Sequence, residues 1–174
     1  MPSRSLAYGQ PILAPILRVS PDGRFGLVPV PFAGQDGTAW LSLRGMAPRT
    51  TTISVVADLS QHRITVLHGG RVLFSAPAAT GASASPTPPG RYFVTDRVRF
   101  ESGGPFGTFA FGLSGIQTRL PAGWVGGNQL AIHGTDDPGS IGSSVSAGCL
   151  RVSERTLDRL RPLLRAGTPV LIVP

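Results

Sequence analysis

The chain has 174 residues, a formal charge of +7, one cysteine, three histidines, and sixteen basic residues that are all arginine. That length supports one ordinary core plus a small appended module, and 41% hydrophobic with 14% charged residues excludes a disordered chain. One cysteine excludes an intrachain disulfide framework, and no apolar run reaches the ~18 residues that a membrane-spanning helix needs.

With 23 glycines and 17 prolines, the composition favours turns and short strands over a helix bundle. Residues 1–15 do not read as an export signal, because Pro2, Pro11 and Pro15 interrupt the apolar stretch and no small-residue cleavage site follows. A cytosolic protein, a mature or truncated chain, and a late start assignment all remain open. The 1–50 region is a series of short apolar pieces separated by the turn signals Ser20-Pro21-Asp22-Gly23, Pro29 to Pro31 and Gln35-Asp36-Gly37. Ala39-Trp40-Leu41-Ser42-Leu43 alternates as a strand does, with Trp40 as its expected anchor. Residues 46–52 read as a short linker.

From Thr52 the β signal strengthens. Ile53-Ser54-Val55-Val56-Ala57-Asp58 and Arg63-Ile64-Thr65-Val66-Leu67 are β-branched runs, and His68-Gly69-Gly70-Arg71 has the two glycines of a tight hairpin before the return strand Val72-Leu73-Phe74. A β-meander therefore opens a mostly antiparallel domain. Residues 81–90 form a loop stiffened by Pro86, Pro88 and Pro89, and Arg91-Tyr92-Phe93-Val94-Thr95 restarts a strand. The glycine-rich stretch 101–128 carries Phe106, Phe109, Phe111 and Trp124. It fits either a cleft wall or lid, or an irregular core segment. Leu130-Ala131-Ile132 is a strand ending at His133.

One helix is expected. Ser153 is a good N-cap, Glu154 complements the positive helix end, and Leu157, Leu160 and Leu164 recur at helical spacing. Pro162 breaks it near Arg161, Gly167 suits the stop, and Pro169-Val170-Leu171-Ile172-Val173 is a buried final strand.

The chemistry concentrates around Cys149, in Ser146-Ala147-Gly148-Cys149-Leu150-Arg151. His133 lies 16 positions upstream at a strand end, and the intervening Asp136-Asp137-Pro138-Gly139 and Gly142-Ser143-Ser144 can fold back to bring the two together. Cysteine attacks as the thiolate, and an unperturbed pKa of ~8.5 leaves only a few per cent ionised at neutral pH. An adjacent imidazole takes that proton, while a helix start and Arg151 favour the anion. Gly148 lets backbone N–H groups turn towards a developing oxyanion. Against this stands the ordinary role of a lone cysteine as a small buried hydrophobe. His62 and His68 read as hairpin residues, and a zinc site is disfavoured because Cys149, His133 and Asp136 or Asp137 lack usual ligand spacing.

Ile132-His133-Gly134 followed by Ser146-x-Gly148-Cys149-x-Arg151 resembles the signature of the L,D-transpeptidase catalytic domain, the YkuD family. The resemblance covers residues 52–174 and includes Thr80-Gly81, Thr87-Pro88-Pro89-Gly90 and Gly167-Thr168-Pro169-Val170. One departure is Ala147, where the family commonly has histidine. The resemblance implies a mainly β, sandwich-like catalytic domain with one helix towards its C-terminus. It implies a transferase that cross-links bacterial peptidoglycan outside the cytoplasm, needs no cofactor, and is acylated by carbapenems. Cys149 would attack the peptide carbonyl before the terminal D-alanine of a stem tetrapeptide, and a diamino acid amine of a second stem would resolve the thioester. His133 would be the base, with the Gly134 carbonyl orienting it. Gly148 and Cys149 N–H would hold the oxyanion. Ser146, Arg151 and Thr135 would contact the donor stem, with Phe109, Phe111 and Trp124 as cleft-lining candidates. Residues 1–50 resemble the small SH3-like wall-binding module that precedes the domain in some relatives; an N-terminal arm packed on the catalytic domain is the other reading.

Two neighbouring functions use the same residues: an L,D-carboxypeptidase with water as acceptor, and a non-catalytic wall-binding protein that keeps the fold. Nucleic-acid binding rests on charge alone, since the arginines are scattered. Arg155, Arg159, Arg161 and Arg165 form the one cluster, read as a solvated helix face.

Overall fold

Local turn chemistry and alternating burial account for most of the strands. The computed structural model describes residues 13–33, 37–101 and 104–174; residues 1–12 and the Gln35-Asp36 part of the third turn signal lie outside them. Strands β1 (Arg18–Val19), β2 (Phe25–Pro29) and β3 (Thr38–Ser42) form a small antiparallel sheet. The Ser20-Pro21-Asp22-Gly23 turn is closed by Asp22 Oδ1, which accepts from Ser20 Oγ and Arg24 N–H, with Gly23 at φ +71°. Trp40 is not the anchor of this sheet. Its ring is 46% exposed under the Arg18 guanidinium, and Val28 is the side chain that is buried. A bond from Phe32 N–H to the Ser114 carbonyl ties the segment to the main body.

Strands β4 (Ile53–Asp58), β5 (Arg63–His68) and β6 (Arg71–Pro77) are the expected meander. Gly69 and Gly70 both take positive φ (58° and 81°) in the two-residue hairpin loop. Next come β7 (Thr80–Gly81), β8 (Gly90–Arg99), β9 (Phe109–Ile116), β10 (Gln129–His133), β11 (Ser144–Ser146), β12 (Leu150–Arg151) and β13 (Pro169–Val173). The main sheet runs β12-β10-β9-β8-β13-β4-β5-β6, and β11 pairs with β7. All its neighbours are antiparallel except β13 with β4 and β10 with β12.

The sheet curls over one apolar cluster. Val55, Ala57, Ile64, Val66, Val170 and Ile172 alternate inwards from one half and meet Phe111, Leu113, Leu130 and Ile132 from the other. Strand β9 runs through the middle of the 101–128 stretch with almost every residue buried, and the loop lies after it at 117–128.

Helix α1 (Glu154–Leu160) starts at Ser153, whose hydroxyl accepts from Thr156 N–H at 3.2 Å. It ends at Arg161, before Pro162, so Gly167 (φ +85°) serves a later turn whose N–H reaches the Val94 carbonyl. Leu157 and Leu160 pack from the helix; Leu164 joins the same core from beyond it. Each such buried leucine contributes about 2 kcal/mol of transfer free energy.

Candidate active site

The parallel pairing of β10 with β12 creates the site. Leu150 sits opposite Ile132 and Arg151 opposite His133, and Val152 N–H donates to the His133 carbonyl at 2.8 Å. The intervening chain folds back through a short 3-10 turn (Pro138–Ser140) and β11. Cys149 therefore emerges alongside β10, with its Sγ 3.8 Å from the Gln129 carbonyl oxygen.

His133 is buried, and its Nδ1 lies 2.5 Å from the Gly134 carbonyl oxygen. The carbonyl can only accept, so Nδ1 carries the proton and Nε2 presents a lone pair. Burial lowers the imidazole pKa to about 4, partly opposed by the Gly134 hydrogen bond and reinforced by the positive Arg151. Burial pushes the Cys149 thiol up from its ordinary range, against the pull of the Ala131 backbone hydrogen bond and Arg151. Desolvation thus outweighs the stabilisation of a thiolate that the helix start and Arg151 suggested. At neutral pH the pair rests as thiol and neutral imidazole. A neutral thiol with a neutral base can transfer its proton as sulfur bonds to an electrophile.

The 146–149 turn is self-bonded. Ser146 is buried, its hydroxyl donates to the Cys149 carbonyl at 2.6 Å, and it accepts from Gly148 N–H at 3.0 Å. The Gly148 N–H, one of the two expected oxyanion donors, is therefore already paired. Gly148 has φ +119°, and a Cβ there would lie 2.3 Å from Gln117 Nε2, so only glycine fits. Gln117 in turn donates to the carbonyls of Pro86 at 2.8 Å and Ser85 at 3.2 Å, fastening the proline-rich loop to this turn.

Arg151 is half-buried, with a fully buried Nε that has no hydrogen-bond partner among the described residues. Thr135 Oγ1 accepts from Asp137 N–H, so this side chain stabilises its own turn. Phe109 and Phe111 are core residues rather than cleft walls, with ring centroids 4.9 Å apart. Trp124 is 42% exposed on the 117–128 loop, where its indole N–H donates to the Gly127 carbonyl.

The aromatic contact to the site comes instead from Phe106. Its ring meets the His133 imidazole edge-on at 5.1 Å and stacks on Phe100 at 5.7 Å. Glu154 holds this turn, accepting from Thr108 N–H at 3.1 Å and Thr108 Oγ1 at 2.5 Å. Gly107 and Gly134 pack Cα against backbone below it. The sequence signal for Phe106 was its place between glycines; nothing local marked Glu154 as more than a helix-start acid. His62 also does more than fill a turn, since its Nε2 lies 2.8 Å from Ser144 Oγ on β11.

The family model of the L,D-transpeptidase catalytic domain, YkuD, matches residues 52–172. The YkuD protein of Bacillus subtilis (strain 168), named as an L,D-transpeptidase, is 29% identical over 160 residues, covering 91% of this chain and 85% of the relative. Among solved structures, an L,D-transpeptidase from Mycobacterium smegmatis superposes with a TM-score of 0.57 at 17% identity, covering 92% of this chain and 82% of the other. An L,D-transpeptidase solved in complex with imipenem superposes with a TM-score of 0.54 at 23% identity. That match covers 80% of this chain and 64% of the solved one.

Proposed function

The chain belongs to the L,D-transpeptidase catalytic domain family (YkuD), and from that premise we propose that it cross-links bacterial peptidoglycan through a thioester on Cys149. The single observation that carries this reading is the Cys149–His133–Gly134 arrangement built by the β10–β12 pairing, with Nδ1 bonded to the Gly134 carbonyl and Nε2 left as acceptor. The third group of such a triad orients the imidazole and selects its tautomer.

In the first half-reaction Cys149 Sγ attacks the carbonyl carbon between the third residue of a stem tetrapeptide and its terminal D-alanine. His133 Nε2 takes the thiol proton as the S–C bond forms. The Cys149 N–H, beside the already paired Gly148 N–H, donates to the oxyanion; such a donor is typically worth about 3 kcal/mol. Collapse breaks the C–N bond, His133 returns the proton to the departing amine, and D-alanine leaves. In the second half-reaction a side-chain amine of another stem attacks the thioester, His133 relays its proton to sulfur, and a new amide forms with the thiol regenerated. Arg151, with its unpartnered buried Nε, supplies positive charge beside the anionic donor stem. A protein with this substrate works outside the cytoplasm, and among the described residues no helix is long and apolar enough to cross a membrane. We propose a catalytic domain at 52–174, preceded in residues 1–50 by a small β module or an arm packed on that domain.

Incubation with imipenem followed by intact-mass measurement tests the nucleophile. The parent chain gains one inhibitor mass and Cys149→Ala gains none; no adduct on the parent, or equal adducts on both, overturns the reading. Incubation with a disaccharide-tetrapeptide separates the acceptors, because a transpeptidase yields cross-linked dimer and an L,D-carboxypeptidase only trimmed tripeptide.

A further inference from the structure

Between β8 and the start of β10 lies a buried polar cluster that the reaction above leaves unused. Thr95 and Asp96 on β8 are both completely buried, and Gln129 opens β10. The Thr95 hydroxyl donates to Asp96 Oδ2 at 2.7 Å. Gln129 Nε2 donates among Thr95 Oγ1 at 2.9 Å, Asp96 Oδ2 at 3.0 Å and the Leu113 carbonyl at 3.0 Å. Asp96 Oδ1 has no hydrogen-bond partner, and Asp96 forms no ion pair among the described residues. A buried carboxylate is costly to desolvate, and leaving one oxygen unpartnered adds to that cost. Apolar side chains would pack β8 against β10 at lower cost, so the cluster is best understood by what it holds in place.

What it holds is a pair of irregularities flanking one glycine. Gly112 on β9 pairs with Asp96 on one side and Ala131 on the other, and the ladder shifts register between Val94 and Asp96 and again between Gln129 and Ala131. A Cβ at Gly112 would lie 2.7 Å from Gln129 Nε2 and 3.1 Å from Asp96 Cβ, so the missing side chain makes room for the cluster. Bulges beside active sites re-aim the groups they carry. Here the β10 irregularity carries the Gln129 carbonyl, which faces Cys149 Sγ at 3.8 Å, and the Ala131 backbone, which also hydrogen-bonds the sulfur. Arg151 is the charged group that acts on that sulfur, and it acts on the His133 imidazole as well.

We propose that Thr95, Asp96 and Gln129 are positioning residues for Cys149, pinning the irregular start of β10 around Gly112 so that the Gln129 carbonyl and Ala131 backbone hold the sulfur in its attacking orientation. This rests on Cys149 being the nucleophile. None of the three touches the reacting carbonyl; they act through β10. The expected signature is a loss in the acylation step with little change in inhibitor binding.

The test uses the full chain with imipenem, resolving the first-order acylation constant from the inhibitor dissociation constant, with rates normalised to titratable thiol. Gln129→Met keeps the side-chain length and removes the donor. It lowers the acylation constant about tenfold, since small misplacements of a reacting group carry penalties of that order, and leaves the dissociation constant within about twofold. It also moves the pH midpoint of Cys149 alkylation by iodoacetamide by about half a unit or more, because the groups facing the sulfur have shifted. Thr95→Val removes the hydroxyl at constant volume and behaves alike, and it decides the matter alone if Gln129→Met does not fold. Thr95→Ser, which keeps the hydroxyl, retains the parental constants. Parental acylation and alkylation profiles in folded Gln129→Met or Thr95→Val overturn the proposal, as does a Thr95→Ser defect equal to that of Thr95→Val. A parent chain that forms no adduct instead refutes the transpeptidase reading, and the alkylation midpoint then still tests the cluster.

Discussion

His133 Nδ1 lies 2.5 Å from the carbonyl oxygen of the very next residue, Gly134. One backbone group thus selects the tautomer and leaves Nε2 as the acceptor, with no side chain required as the third member. Because burial holds the imidazole near 4, the base is neutral across the whole physiological range. The acid limb of acylation therefore has its midpoint near 4, where His133 takes up a proton and can no longer accept one from sulfur. Measuring imipenem acylation from pH 3.5 to 8 checks this; a midpoint near the ordinary 6.5 would mean that water reaches the ring.

Phe106 is the group that keeps that water away on the exposed side. Its ring centroid sits 5.1 Å from the imidazole centroid while 41% of the residue remains accessible. In Phe106→Ala the imidazole is better solvated, its pKa rises from about 4 towards 6.5, and the acid limb moves upwards with it. The expected outcome is a several-fold loss of acylation at pH 5 with a rate at pH 8 within about twofold of the parent. An unchanged acid limb would assign the desolvation to the core beneath His133 alone.

What could be read from the chain was what neighbouring residues decide among themselves. The Gly69-Gly70 hairpin, the Ser153 cap and the helix end ahead of Pro162 depend on backbone conformations that local chemistry selects. The Gly148-Cys149 turn and the strand-end His133 were visible as a motif because their spacing is short. The exposure of Trp40 and the burial of Phe109 and Phe111 are not legible locally, because burial of an aromatic ring depends on which strands become neighbours, and β9 finds its partners only once β8 and β10 flank it. Gln129 and Asp96 are 33 residues apart, and they meet only across the glycine of an intervening strand. No local pattern encodes that meeting.

Gly148 should tolerate no side chain. Its φ of +119° is strained for any L-residue, at a cost of about 1–3 kcal/mol, and an added Cβ would meet Gln117 Nε2 at 2.3 Å. Gly148→Ala is expected to lower the melting temperature and to slow acylation by about 100-fold, the scale of a lost oxyanion donor. Adding Gln117→Ala relieves the collision and leaves the dihedral strain, so the double variant recovers part of the stability but little of the rate. Equal recovery of both would locate the whole defect in the collision. Thermal unfolding and acylation of the two variants, compared with Gln117→Ala alone, separate the contributions.

Burial of His133 also makes stability depend on pH. The folded pKa of about 4 lies below the unfolded value of 6.5, so on acidification the unfolded chain binds a proton first. Stability is unaffected above 6.5, falls progressively between 6.5 and 4, and falls no further from this residue below 4. The whole loss is at most about 3 kcal/mol, from the 1.36 kcal/mol per pKa unit of linkage. Asp22 and Asp58, held low chiefly by the hydroxyls of Ser20 and Ser60, act in the same direction at more acid pH. Urea unfolding of the parent and of His133→Gln at pH 7 and pH 4.5 isolates the histidine, because the carboxylate effects cancel between the two proteins. The parent should lose clearly more stability than the variant over that interval; parallel losses would show that the buried imidazole is not what the acid attacks.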